Sequence, residues 1–132
     1  MKKGYKDNIE AVTTSNTDFR RVLYTGEQMQ LVAMTLQPGE DIGAEVHEGH
    51  DQFFRFESGT GKAIVNETEY EVAADDAVIV PSGANHNIIN TGDVPLTLYT
   101  IYAPPEHADG ITHATKAEAE VDEEHFDGTT SE

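Results

Sequence analysis

Between Pro38 and Gly59 the chain reads PGEDIGAEVHEGHDQFFRFESG, and its chemically capable side chains are Glu45, His47, His50, Asp51 and Gln52. The chain holds no cysteine, which excludes thiolate nucleophiles and thiolate metal sites, so any metal must be held by nitrogen and oxygen. Neutral imidazole is the commonest protein ligand for transition metals, and carboxylate or amide oxygen can complete such a shell. Strand alternation places Glu45 and His47 on one face of GAEVH, and Gln52, Phe54 and Phe56 on one face of QFFRFE. His50 shares the parity of Gln52, and an unperturbed imidazole near pKa ~6.5 transfers protons in either direction around neutrality. His50 is therefore the candidate catalytic residue, and the first substitute as a ligand. Asp51 has the opposite parity and is expected to face solvent or pair with Arg55. A further histidine, His86, lies in the patterned stretch PSGANHNIIN.

The elements that must position these residues are short. From Phe19 to Ala103 the chain breaks into apolar runs rich in Val, Ile, Thr, Phe and Tyr, separated by Gly, Pro, Asn and Asp clusters. In LVAMTLQ, residues Val32, Met34 and Leu36 share one face, as in a strand buried on one side. KAIVN and EYEVA are joined by a short turn and predict a hairpin, whereas AVIVP is apolar on both faces and is expected to be central. The cadence is that of an all-β sandwich or barrel. Residues 1–18 read as a polar arm and residues 19–105 as the barrel. Residues 106–132 read as an acidic, partly disordered tail with at most a short helix around Lys116 to Glu120. His107, His113 and His125 are expected to be solvated there, although PPEHADGITH can fold back over a barrel mouth. Phe54, Phe56, Tyr99 and Tyr102 can line a pocket, although aromatics in a small barrel more often form plain core.

The net charge is −17, from 25 acidic against 8 basic residues. Such a surface repels nucleic acid and anionic lipid. No apolar run approaches the ~20 residues that span a bilayer, and a cytoplasmic location is expected. The acidity is that of an ordinary solvated surface, although high-salt cytoplasm favours the same composition. No phosphate-cradling glycine loop or nucleophile elbow is present.

Two ordered signatures then resemble those of the cupin superfamily. Gly39, Glu45-Val46-His47, Gln52 and Gly59 fall at the spacings of the first; Pro81, Gly83, His86 and Asn90 fall at those of the second, with Asp75 where the leading Gly is usual. The resemblance implies a cupin double-stranded β-helix, a jelly-roll barrel. It also implies a divalent transition metal (Mn, Fe, Ni, Co or Zn) held by Glu45, His47, Gln52 and His86. Glu45 stands where His is usual and Gln52 where Glu is usual, so the set keeps the family's ligand charge of about −1.

The resemblance is strongest to the small, mannose-6-phosphate isomerase-like cupins. It implies a metal-dependent enzyme on a small polar or carbonyl substrate, of isomerase, lyase or oxygenase type. A non-catalytic small-molecule-binding cupin is the alternative, favoured by the neutral Gln52. Arg55 and Lys62 are the only cations near the signature, which weighs against a phosphosugar and for a neutral or carbonyl substrate. A homodimer is expected, because a jelly roll leaves strand edges to cover.

Overall fold

Ten strands pair into two antiparallel sheets, as the β-branched and aromatic runs require. A computed structural model describes residues 1–132. The strands are β1 (Arg20–Thr25), β2 (Gln30–Leu36), β3 (Glu45–Val46), β4 (Asp51–Ser58), β5 (Thr60–Val65), β6 (Thr68–Ala73), β7 (Ala77–Val80), β8 (Asn85–Asn90), β9 (Leu96–Ala103) and β10 (Thr112–His113), with helices α1 (Ile9–Ser15) and α2 (Lys116–Val121) outside them. One sheet runs β10-β1-β2-β9-β4-β7 and the other β3-β8-β5-β6. Between them lies the core, including Val32, Met34, Leu36, Phe54, Phe56, Ile88, Leu96 and Leu98. Each such side chain, fully buried, contributes about 1.5–3 kcal/mol.

The alternation of β4 is as the sequence predicts: Gln52, Phe54 and Phe56 are buried while Phe53 and Arg55 are not. In β2 the pattern fails, because Ala33 and Thr35 are buried as well as Val32, Met34 and Leu36. The cause is α1, which packs on the outer face of β2, β4 and β9. Asn8 caps it by accepting from the Ala11 N–H at 3.0 Å, and Asn16 at its end donates to Thr35 Oγ1 at 3.0 Å. The segment 1–18 thus contains a helix that covers half of a sheet.

AVIVP is not central. β7 is the edge of the six-stranded sheet, bonded only to β4, and Ile79 is 68% exposed. Its apolar outer face is uncovered because α1 lies over β2, β9 and β4 instead. The β5–β6 hairpin forms as expected, turning at Asn66 with φ +52°. Asp51 accepts from the Ser82 N–H at 2.9 Å, and Arg55 pairs with Asp75 at 2.9 Å and Glu57 at 3.3 Å, so the expected Asp51–Arg55 pairing does not occur.

The last residue of the second signature proves to be a clamp. The buried Asn90 amide donates to the Leu36 and Val94 carbonyls at 2.9 Å each and accepts from the Gly92 N–H, also at 2.9 Å. It thereby ties β2 and the β8–β9 turn to the strand carrying His86.

α2 is pinned to the barrel through Lys116, whose ammonium lies 2.5 Å from Asp41 Oδ1. The Asn87 amide, at 2.9 Å, and then Lys116 hold the Asp41 carboxyl below the usual carboxylate range. With its folded pKa depressed, Asp41 contributes stability above the ordinary carboxylate value of about 3.9, and this is lost as pH falls through the folded pKa. The pair is partly exposed, so the expected loss is at most about 1 kcal/mol. Urea midpoints of the wild type and Asp41→Asn should differ at pH 7 and converge towards pH 2.

Candidate functional site

β3 is only two residues long, yet it sets the site. Its pairing with β8 places Glu45 directly opposite His86, and the chain leaving β3 carries His47 beside them. The rings of His47 and His86 lie 5.3 Å apart between centroids. Across the barrel, Gln52 on β4 is paired with Tyr102 on β9, and the Tyr102 ring stands edge-on to His47 at 5.7 Å. Two short strands and two long ones therefore bring Glu45, His47, Gln52 and His86 to one end of the barrel, around Tyr102.

Each side chain is held in a particular state. His86 Nδ1 lies 3.1 Å from the Ala84 carbonyl, so that nitrogen carries the proton and donates, leaving Nε2 with a free lone pair. Burial holds His86 below the ordinary imidazole range, which keeps it neutral. His47 Nε2 is 2.8 Å from Glu45 Oε2, and this contact raises the His47 pKa despite burial. For Glu45, burial pushes upward but the close contact and charge of His47 outweigh it, and the net shift is downward. Buried His47 Nε2 thus meets the Glu45 carboxylate as a close ion contact. Gln52 donates from Nε2 to Thr100 Oγ1 at 3.0 Å, and its buried Oε1 is unpartnered.

A second ring of groups comes from beyond β9. The segment after Ala103 folds back over the barrel mouth, as the PPEHADGITH stretch allows. It sets Glu106 against His50, with Oε2 3.2 Å from Nε2, and against His47, with Oε1 3.7 Å from Nδ1. His50 Nδ1 donates to the Pro104 carbonyl at 2.8 Å. His107 is not solvated: Nδ1 lies 2.6 Å from Glu124 and Nε2 3.3 Å from the Tyr102 hydroxyl. Burial drives the Tyr102 phenol far above its usual range. His113 is also buried, between Arg20 and Asp122. Arg20 and Glu124 are not legible in the sequence as site residues, Tyr102 is legible only as a candidate pocket wall, and Glu106 and His107 only as part of a segment able to cover the mouth. For Arg20 the signal was present, because it shares strand parity with the inward Val22.

This chain is similar to known proteins along most of its length. The family model described as "Cupin domain" matches residues 32–102. The chain belongs to the cupin family. The cupin is 45% identical over 123 residues to the uncharacterized protein YrkC of Bacillus subtilis, a match that takes in 89% of this chain and 66% of YrkC. The crystal structure of BH2720 from Bacillus halodurans superposes with a TM-score of 0.89 at 44% identity, covering 91% of this chain and 96% of that one. A shorter match, 26% identical over 76 residues, joins the cupin to mannose-1-phosphate guanylyltransferase ManC of Salmonella typhimurium, covering 58% of this chain and 16% of that enzyme. The two-sheet architecture is accordingly the double-stranded β-helix.

Cupins commonly bind transition metals, and the residues here can be tested for that on their own geometry. No three His, Asp or Glu side chains stand together as a ligand shell; Glu45 is closed onto His47 instead. The donor types nevertheless fit. Gln52 Oε1 is buried without a hydrogen-bond partner, His47 Nε2 meets the Glu45 carboxylate, His86 has a free Nε2 fixed by its Nδ1 bond, and Glu45 supplies a carboxylate. An N,O set of this composition suits a first-row divalent ion.

Proposed function

We propose that this cupin holds a divalent transition metal through Glu45, His47, Gln52 and His86 and acts as a metal-dependent enzyme on a small polar or carbonyl substrate. The observation that carries this reading is the buried, unpartnered Gln52 Oε1, at the end of the barrel that also holds Glu45, His47 and the free Nε2 of His86. Leaving such a group unsatisfied costs about 1–3 kcal/mol, which a ligand would relieve. When bound, the metal would polarise a carbonyl or hydroxyl oxygen and stabilise negative charge on it. The chain's own residues supply the rest. Gln52 is oriented by Thr100, and His86 by Ala84. His50, held by the Pro104 carbonyl and facing Glu106, is placed to hold and move a proton at Nε2.

The alternative, a non-catalytic binding module, draws on the amide of Gln52, a weaker ligand than carboxylate. The two are separated by turnover. An enzyme shows oxygen uptake, isomerisation or carbonyl chemistry that His50→Ala abolishes while metal content stays; a metal-loaded protein that binds a substrate tightly and never turns it over is a binding module. The metal itself is tested by elemental analysis of tag-free protein and of its His47 and His86 variants.

We also propose a homodimer. The open edges β7 and β6 line a common cleft that includes Ile79 and Tyr70, respectively 68% and 49% exposed. Exposed apolar edges of this kind are usually covered. Sedimentation at micromolar concentration should give twice the 14.4 kDa chain mass, and a monomer alone would remove the claim.

A further inference from the structure

Arg20 is a buried cation without a counter-ion. It is 8% exposed, on the inward face of β1 opposite Met34, and forms no ion pair with any carboxylate. Its one polar contact is Nη1 to His113 Nδ1 at 3.4 Å, its Nε is buried and unpartnered, and its guanidinium lies 5.3 Å from the Phe19 ring centroid. Arg20 remains charged in any protein environment, and a charge taken from water without a partner is strongly unfavourable.

Three of the carboxylates around it are already engaged by histidines. Glu45 is closed on His47 at 2.8 Å, Glu124 on His107 at 2.6 Å and Asp122 on His113 at 2.9 Å. Arg20 also lines a cavity of about 150 Å³ with Phe19, Ile42, Glu45, Lys116, Ala119 and Glu120. Lys116, the other cation there, is occupied by Asp41 and lies 3.9 Å from Glu120. At about 30 Å³ per water, the space holds about five waters, or one carboxylic acid of a few carbons. Glu45 is the wall it shares with the candidate metal site.

We infer that Arg20 is the anchor for the carboxylate of a small carboxylic acid, whose remaining atoms extend towards Glu45, His47 and His86. This names the substrate class of the site and rests on the reading that small molecules bind there, though not on the metal. It revises the expectation of a neutral substrate. The acidic exterior repels anions at long range, but salt screens that field within about 8–10 Å, and the buried guanidinium decides what is held. A planar fork of N–H donors matches a carboxylate in two parallel bonds. His113, anchored through Nε2 to Asp122, accepts one N–H from Nη1, which leaves the other terminal guanidinium N–H groups for the ligand.

The test is calorimetric titration of the full chain with propionate and with its neutral isostere propionamide, as purified and after EDTA dialysis. Propionate should bind at least about tenfold more tightly than propionamide. Arg20→Gln should remove that difference by weakening propionate alone, with metal content unchanged. Ala119→Phe, which fills the cavity from α2 and leaves Arg20 in place, should also weaken propionate by at least about tenfold and serves if Arg20→Gln does not fold. Equal binding of acid and amide by the wild type, or full propionate affinity in either variant, overturns the inference. A fall in the ligand-free Tm of Arg20→Gln with propionate affinity intact assigns the residue to the core and also overturns it. Arg20-dependent binding in a protein that holds no metal leaves it standing and removes the metal reading; Arg20-independent binding to a metal-loaded protein does the reverse.

Discussion

Replacing Gly59 by alanine is expected to destabilise the fold by about 2–5 kcal/mol, combining about 1–2 for a left-handed backbone with about 1–3 for overpacking. Gly59 is the single residue between β4 in one sheet and β5 in the other, and it turns that corner at φ +87°. A Cβ there would stand 2.6 Å from the Pro95 carbonyl oxygen and 2.9 Å from Leu96 Cα. Both are backbone atoms of the segment entering β9, the strand that joins β2 to β4, so neither can move aside without shifting the sheet. Gly49 is the control: it has φ +79°, but a Cβ there would meet nothing within 4 Å. Gly49→Ala should cost only the backbone contribution, about 1–2 kcal/mol. Urea denaturation of the two variants checks this, and equal midpoints would show that the corner can relax. Against the 5–15 kcal/mol typical of a domain, the Gly59 loss is large.

That corner also shows what was legible in the fold. Gly59 stood at a signature position, and strand alternation around it correctly placed Gln52, Phe54 and Phe56 inside. Such patterns follow from the period of a strand, a local property. What failed was non-local. Nothing in AVIVP distinguishes a central strand from an edge whose outer face is left open. The exposed Ile79 is explained only by where α1 lies. The helix itself was hidden because IEAVTTS carries few apolar residues; it is stabilised by the Asn8 cap and by Thr13 and Asn16 meeting the sheet.

The site divides in the same way. That Glu45, His47, Gln52 and His86 share one end of the barrel was readable, because spacing and parity operate within one or two adjacent strands. The surrounding Glu106, His107 and Glu124 come from a segment without strand periodicity, whose return across the mouth depends on tertiary contacts. One such contact is the Phe126 N–H bonding the Glu106 carbonyl at 3.0 Å. Arg20 was read as part of an apolar run, although a charge on the inward parity of a strand is itself a functional signal.

The largest effect on function is expected from His86→Ala, which should lower bound metal at least about tenfold, the scale on which loss of even supporting groups acts. Among the four proposed ligands, His86 is the best prepared. It is buried, held neutral, and fixed in tautomer and orientation by the Ala84 carbonyl, so little reorganisation is needed for Nε2 to ligate. His47 must first lose its close contact with Glu45. Its alanine variant should deplete metal as well, while also freeing Glu45 from its partner. Gln52→Ala removes one neutral oxygen and should cost less than either. His50→Ala should leave metal content unchanged, because His50 is engaged by Pro104 and Glu106 rather than by the ligand group. Elemental analysis of tag-free protein, with circular dichroism to confirm folding, reads all four variants. Full metal in both His47→Ala and His86→Ala would move the site elsewhere, and depletion in His50→Ala would make that residue a ligand. The ordering of the losses is diagnostic because unspecific binding to an acidic surface would show none: no single histidine governs a charge of −17.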